Sequence, residues 1–179
     1  MKKQNTWMLV EGSMMIGLAI VLSEYVKILK MPMGGSVTLG GMVPIFLFAY
    51  RWGGKQGIFA GIVFSILDFI IGGVYSLHPV SIIFDYPVAY GILGIAGFFK
   101  KTPVGLVTGV FAGILGRFIS HTFSGVVVYA SFAPEGQSPL LYSILYNGTY
   151  LLPEFFITVV LTVLILKYIK LPVPRKATA

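Results

Sequence analysis

Between Arg117 and Glu154 the chain reads RFISHTFSGVVVYASFAPEGQSPLLYSILYNGTYLLPE, two apolar segments hinged on a polar turn. Into them it packs Arg117, His121, Tyr129, Tyr142, Tyr146, Asn147, Tyr150 and Glu154. Polar side chains at membrane depth are unfavourable, so they face a protein interior or a wet cavity. The stretch therefore reads as two walls of a ligand pocket. Upstream, Asp85 in HPVSIIFDYPVAY supplies a carboxylate that attracts a ligand cation strongly once water is excluded. Tyr75, Tyr86, Tyr129 and Tyr142 offer flat faces for stacking and cation–π contact. Asn147 carries a donor and an acceptor together, suited to a heterocycle edge. A small aromatic cation with hydrogen-bonding edges satisfies all of these.

Enzyme templates fare worse. The chain has no G-x-x-x-x-G-K-[ST] phosphate loop, RWGGKQG being the nearest string, so ATP hydrolysis by this chain is not expected. His78 and His121 come from different segments with no third obvious ligand and no H-E-x-x-H, which argues against zinc. Ser120 beside His121 is no catalytic pair, because successive helical residues point about 100° apart. G-x-S-x-G is missing as well. No cofactor is implied.

The elements that must position these residues are membrane helices. Of 179 residues 56% are hydrophobic and 11% charged, with a mean hydropathy of +0.89, whereas about a quarter of a soluble domain is charged. At roughly 20–25 residues per span the length accommodates about six helices, and residues 1–179 are read as a single membrane domain. Cysteine is absent, which excludes disulfides. The apolar run after Lys2 and Lys3 is too long for a cleaved signal and lacks its small-residue site. The formal charge of +7 would suit nucleic acid, but its distribution argues otherwise. Most basic residues sit at Lys2 and Lys3, Arg51 and Lys55, Lys100 and Lys101, then Lys167, Lys170, Arg175 and Lys176. These are the N-terminus, every second loop and the C-terminus, the pattern of an even number of spans with both ends cytoplasmic.

Six segments follow in order: about 7–29, 42–52, 57–71, 80–99, 104–129 and 140–168. In the first, Ser13 and Gly17 make a small-xxx-small step that lets another helix approach, within this chain or from a partner. Glu11 is expected to snorkel to the cytoplasmic surface. KMPMGGSVTLGG at 30–41 is too glycine-rich and polar for a span and reads as an external lid; Lys27 and Lys30 there run against the positive-inside rule. The second segment is short for a span. Asp68, in the third, reads as an internal cap or pair. Pro87 frees a carbonyl and kinks the fourth helix beside Asp85. Arg117 could neutralise Asp68, Asp85 or Glu154. No internal repeat is evident.

The strings GGSV, VPIFLFAYRWG, HPVSIIFDYPVAY, HTFSGVVVYASFAPEG and LLYSILYNGTYLLPEF together resemble the ThiT (YuaJ) family, the thiamine-specific S components of energy-coupling factor (ECF) vitamin transporters. The resemblance runs from the first segment nearly to the C-terminus. It implies an all-α integral membrane protein of the bacterial cell membrane, with about six transmembrane helices and a pocket near the outer face closed by the first outer loop. The family's acidic position matches Asp85, where some members have Glu, and Tyr86 follows it. His121, Gly125, Tyr142 and Asn147 match their motifs directly, and Tyr129 stands where some members place Trp. At the lid tip, where some members have Trp, this chain has Gly34 and Gly35. The same resemblance assigns Ser13 and Gly17 to docking on a transmembrane coupling subunit, with two ATP-binding subunits driving import. Two other readings remain open: another vitamin or a thiamine precursor as cargo, or a small membrane enzyme using Asp85, His121 and Arg117.

Overall fold

Three of the helices begin with the same local device, a capping side chain followed by proline. Thr102 accepts from the Gly105 amide (3.0 Å), Ser138 from that of Leu141 (3.2 Å) and His78 Nδ1 from that of Val80 (3.2 Å). Pro103, Pro139 and Pro79 then occupy the first helical positions, where no amide donor is needed. In the computed structural model, which describes residues 2–169, the order is α1 (Lys2–Tyr25), β1 (Lys27–Lys30), β2 (Ser36–Thr38), α2 (Val43–Trp52), α3 (Gly54–Ile71), α4 (Pro79–Phe98), α5 (Pro103–Val128) and α6 (Pro139–Tyr168). Lys170, Arg175 and Lys176 of the C-terminal basic cluster, and the side chains of Lys2 and Lys3, lie outside the described residues.

The fold is all-helical apart from one small hairpin. All the helices but α2 are long and apolar enough to cross a membrane, and they present large side chains outward, among them Phe59, Ile70, Leu152 and Phe156. Such a continuous apolar exterior is what acyl chains cover. α2, the sixth membrane segment, rises only about 15 Å over its ten residues, half the hydrocarbon thickness. It is buried from Val43 to Tyr50, enclosed by α1, α3, α6 and the second half of α4.

The first predicted segment ends four residues early. Val26–Leu29 leave the helix, and Lys27–Lys30 pair antiparallel with Ser36–Thr38. The expected irregular loop is thus a hairpin, which satisfies backbone groups that a disordered lid would leave unpaired. Residues 37–41 form the end of β2 and the turn after it, which leaves α2 as short as the second predicted segment. Glu11 does not snorkel to solvent but pairs with Arg51 at 3.0 Å. Lys27, out of place for the positive-inside rule, pairs with Glu24 at 3.0 Å. Lys101 Nζ donates to the Gly97 carbonyl (3.1 Å), closing the end of α4.

The segment from Phe84 to Val88 is a π turn containing Asp85 and Pro87, and Ile92–Phe98 continues as a tight 3-10 turn. Pro87 therefore breaks the α ladder as its chemistry requires. The tightened half packs so closely on α3 that a Cβ on Gly94 would lie 2.0 Å from the Ile58 amide nitrogen. Gly94→Val is expected to destabilise the folded protein in detergent by about 2 kcal/mol or more, read as a lowered thermal midpoint; an unchanged midpoint would contradict the packing.

Candidate functional site

At the π turn of α4 the Asp85 carboxylate meets three polar side chains, one from its own helix and two from α5. His121 Nδ1 lies 2.9 Å from Oδ1, while the Ser81 and Ser124 hydroxyls donate to Oδ2 at 2.6 and 2.7 Å. A carboxylate offers about four lone-pair positions, so one acceptor direction and the charge remain for a ligand. Ser81 sits one turn before Asp85, and Ser124 follows His121 by three residues. Sequence reasoning missed both serines, although that helical spacing beside the singled-out residues was the available signal.

Arg117 forms no ion pair with Asp68, Asp85 or Glu154; the ion pairs among the described residues are Lys27–Glu24, Arg51–Glu11 and His121–Asp85. Its Nε–H donates to His121 Nε2 (3.1 Å) and its Nη2 to the Tyr90 hydroxyl (3.1 Å). The guanidinium also lies over the Tyr90 ring, 4.3 Å from its centroid. Tyr90 thus shields the cation with a ring face where the sequence suggested a carboxylate.

These groups line a cavity of about 140 Å³. Its wall includes Tyr75, Asp85, Tyr86, His121, Tyr129, Tyr142 and Asn147, seven of the eight expected binding residues. The eighth, Gly125, is not in the wall. It faces Ser143, and a Cβ there would approach Ser143 Oγ to 2.5 Å, so its role is to bring α5 against α6. Asn147 Oδ1 accepts from the Tyr150 hydroxyl (2.8 Å) and Nδ2 donates to the Ser143 carbonyl (2.9 Å). One Asn147 N–H and one lone pair are left for a partner. Ser143 Oγ, also in the wall, is buried without a hydrogen-bond partner. Asp68, Glu24 and Lys27 also line the cavity, Glu24 paired with Lys27, so Asp68 belongs to it. His78, by contrast, caps α4.

The hairpin closes the cavity. At its base the Thr38 amide and hydroxyl (2.6 Å) both donate to buried Glu154. At its tip the Tyr146 hydroxyl donates to the Pro32 carbonyl and accepts from the Gly35 amide (3.1 Å). Gly34 has φ +101°, and a Cβ there would meet Tyr75 at 2.6 Å; one on Gly35 would meet Tyr150 at 2.8 Å. The tip therefore needs glycine to sit flat on the tyrosines. Met33 reaches the cavity beside them. Ser13 and Gly17 lie elsewhere, exposed on α1, Ser13 bonded to the Leu9 carbonyl (3.0 Å) and Gly17 with open space around it. The step does not pack within this chain. No cluster of three or more metal-ligating side chains occurs among the described residues.

Comparison with known proteins matches residues 9–173 to the family described as Thiamine transporter protein (Thia_YuaJ). The chain belongs to that family. It is 37% identical over 171 residues to the thiamine transporter ThiT of Bacillus subtilis (strain 168), covering 88% of each chain. To the ThiT of Lacticaseibacillus paracasei it is 32% identical over 136 residues, covering 67% of this chain and 68% of the relative. A solved structure of ThiT from Listeria monocytogenes shares the fold, with a TM-score of 0.82, 24% identity and coverage of 93% of this chain and 97% of that one. The protein is accordingly a multi-pass transporter of the bacterial plasma membrane and not an enzyme.

Tyr146→Phe removes the hydroxyl that bridges both sides of the hairpin tip. Hydrogen exchange at the Gly35 amide is expected to accelerate by up to about tenfold, the equivalent of one hydrogen bond, with α6 protection unchanged. Unaltered exchange at Gly35 would show that the tip is held by packing alone.

Proposed function

We propose that this chain captures thiamine at the outer face of the membrane as the S component of an ATP-driven ECF importer, residues 1–179 acting as one membrane domain. The observation that carries the reading is Asp85, held by His121, Ser81 and Ser124 yet retaining one acceptor direction, in a cavity ringed by tyrosines. Thiamine's thiazolium is a flat cation, and its aminopyrimidine presents donors and acceptors on one edge. Asp85 supplies the counter-charge, Tyr75, Tyr86, Tyr129 and Tyr142 the ring faces, and His121 and Asn147 the polar edge. Gly125 keeps the two walls at the right spacing. The names of the relatives support the same ligand.

Transport also needs an energy source, and the sequence has no phosphate loop. ATP hydrolysis is therefore assigned to separate subunits, and docking to a transmembrane coupling subunit is assigned to the outward-facing step Ser13–Gly17. A helix from that subunit could approach closely there, because Gly17 presents only backbone and faces open space.

Asp85→Asn is expected to weaken thiamine binding by about 3 kcal/mol or more, over a hundredfold, because a desolvated cation loses its counter-charge. Unchanged affinity by calorimetry would remove the electrostatic argument. Gly17→Leu should leave binding intact while abolishing uptake in cells; parallel loss of both would instead assign Gly17 to folding.

A further inference from the structure

Arg117 lines the cavity beside Tyr90 and His121, and no carboxylate lies within ion-pair distance of it among the described residues. Its three nitrogens are committed instead to His121 Nε2, Met42 Sδ (3.0 Å) and the Tyr90 hydroxyl. A guanidinium only donates. The nitrogen it faces, His121 Nε2, must therefore be the acceptor, which places the ring's single proton on Nδ1. That proton then points at Asp85 Oδ1, 2.9 Å away.

We infer that Arg117 is a positioning residue that fixes the tautomer of His121, holding the imidazole neutral as a donor to Asp85 and leaving the carboxylate's charge for the ligand. The inference rests on the thiamine-capture reading for its functional consequence, though not for the tautomer. The alternatives are both worse for a cation site. With the proton on Nε2, the Nδ1 lone pair would face Asp85 and repel it. With protons on both nitrogens, His121 would neutralise Asp85 and set a second positive charge beside the incoming cation. Arg117 opposes each, because its Nε–H occupies the Nε2 lone pair. The charged and titratable groups around the ring are Arg117 on its own helix, Asp85 and Tyr90 on α4, and Tyr150 and Glu154 on α6, with Asp68 of α3 also lining the cavity. Of these, Arg117 and Asp85 are the two that contact its nitrogens.

Two measurements test this. The chain has two histidines, so 15N-labelled histidine in the detergent-solubilised protein, with His78→Gln to identify the second signal, reports the His121 tautomer without any ligand. A protonated Nδ1 with a bare Nε2 is expected; a protonated Nε2, alone or together with Nδ1, would overturn the inference. Thiamine affinity by calorimetry is then followed between about pH 8 and pH 5, where an imidazole changes charge. Arg117→Met frees Nε2, so on acidification its affinity should fall about tenfold more than that of the wild type. Arg117→Lys, which keeps a cationic donor, should follow the wild-type profile. A pH-independent loss in Arg117→Met would make Arg117 merely structural and overturn the inference. If Arg117→Met does not fold, the wild-type tautomer decides. Failure of the wild type to bind thiamine would overturn the preceding functional reading and leave the tautomer measurement to decide this one.

Discussion

The chain of contacts from Arg117 through His121 to Asp85 is the constraint on which the rest of the structure depends. A carboxylate in a mostly apolar bundle is unfavourable unless donors surround it. Surrounding it completely, however, would leave nothing for a ligand. The structure meets both demands with the imidazole and two serine hydroxyls, while the balancing guanidinium stands one residue further back, on the face of Tyr90. The π turn exists to aim this group, since a regular helix through Pro87 would have clashed and lost a hydrogen bond in any case.

Closure of the site follows from the same economy of polar groups. Backbone in a lid cannot be left unpaired at membrane depth, so the first outer loop pairs with itself as a hairpin and hands its remaining donors to α6. Glu154 takes the base of β2 and Tyr146 the tip. Both acceptors lie on the helix that carries Tyr142 and Asn147, so lid and cavity wall share one support. A stacking tryptophan at the lid tip would have no room, because Gly34 and Gly35 already lie against Tyr75 and Tyr150. The cavity ceiling is instead backbone and Met33.

Much of this was legible in the sequence because membrane proteins separate their signals cleanly. Long apolar runs located the helices, and the few polar residues among them marked the cavity: Asp85, His121 and Asn147 stood out since nothing else could tolerate them there. Backbone geometry was less accessible. Residues 27–29 look like the end of a helix, and only the pairing of Lys27–Lys30 with Ser36–Thr38, a non-local contact, makes them part of a strand. The partner of Arg117 was hidden for another reason: opposite charges suggest themselves to a reader of sequence, whereas a tyrosine face and a histidine lone pair become partners only through packing. Ser81 and Ser124 were overlooked because a serine in a membrane helix commonly bonds its own backbone; here the π turn brings the carboxylate within their reach.

The most direct measurement of the central claim is an experimental structure of the protein with thiamine bound. Thiamine is expected inside the cavity beneath the hairpin, in contact with the Asp85 carboxylate while His121 Nδ1, Ser81 and Ser124 keep their hold on it. Thiamine lying outside the cavity, or Asp85 turned away from it toward Arg117, would contradict the account.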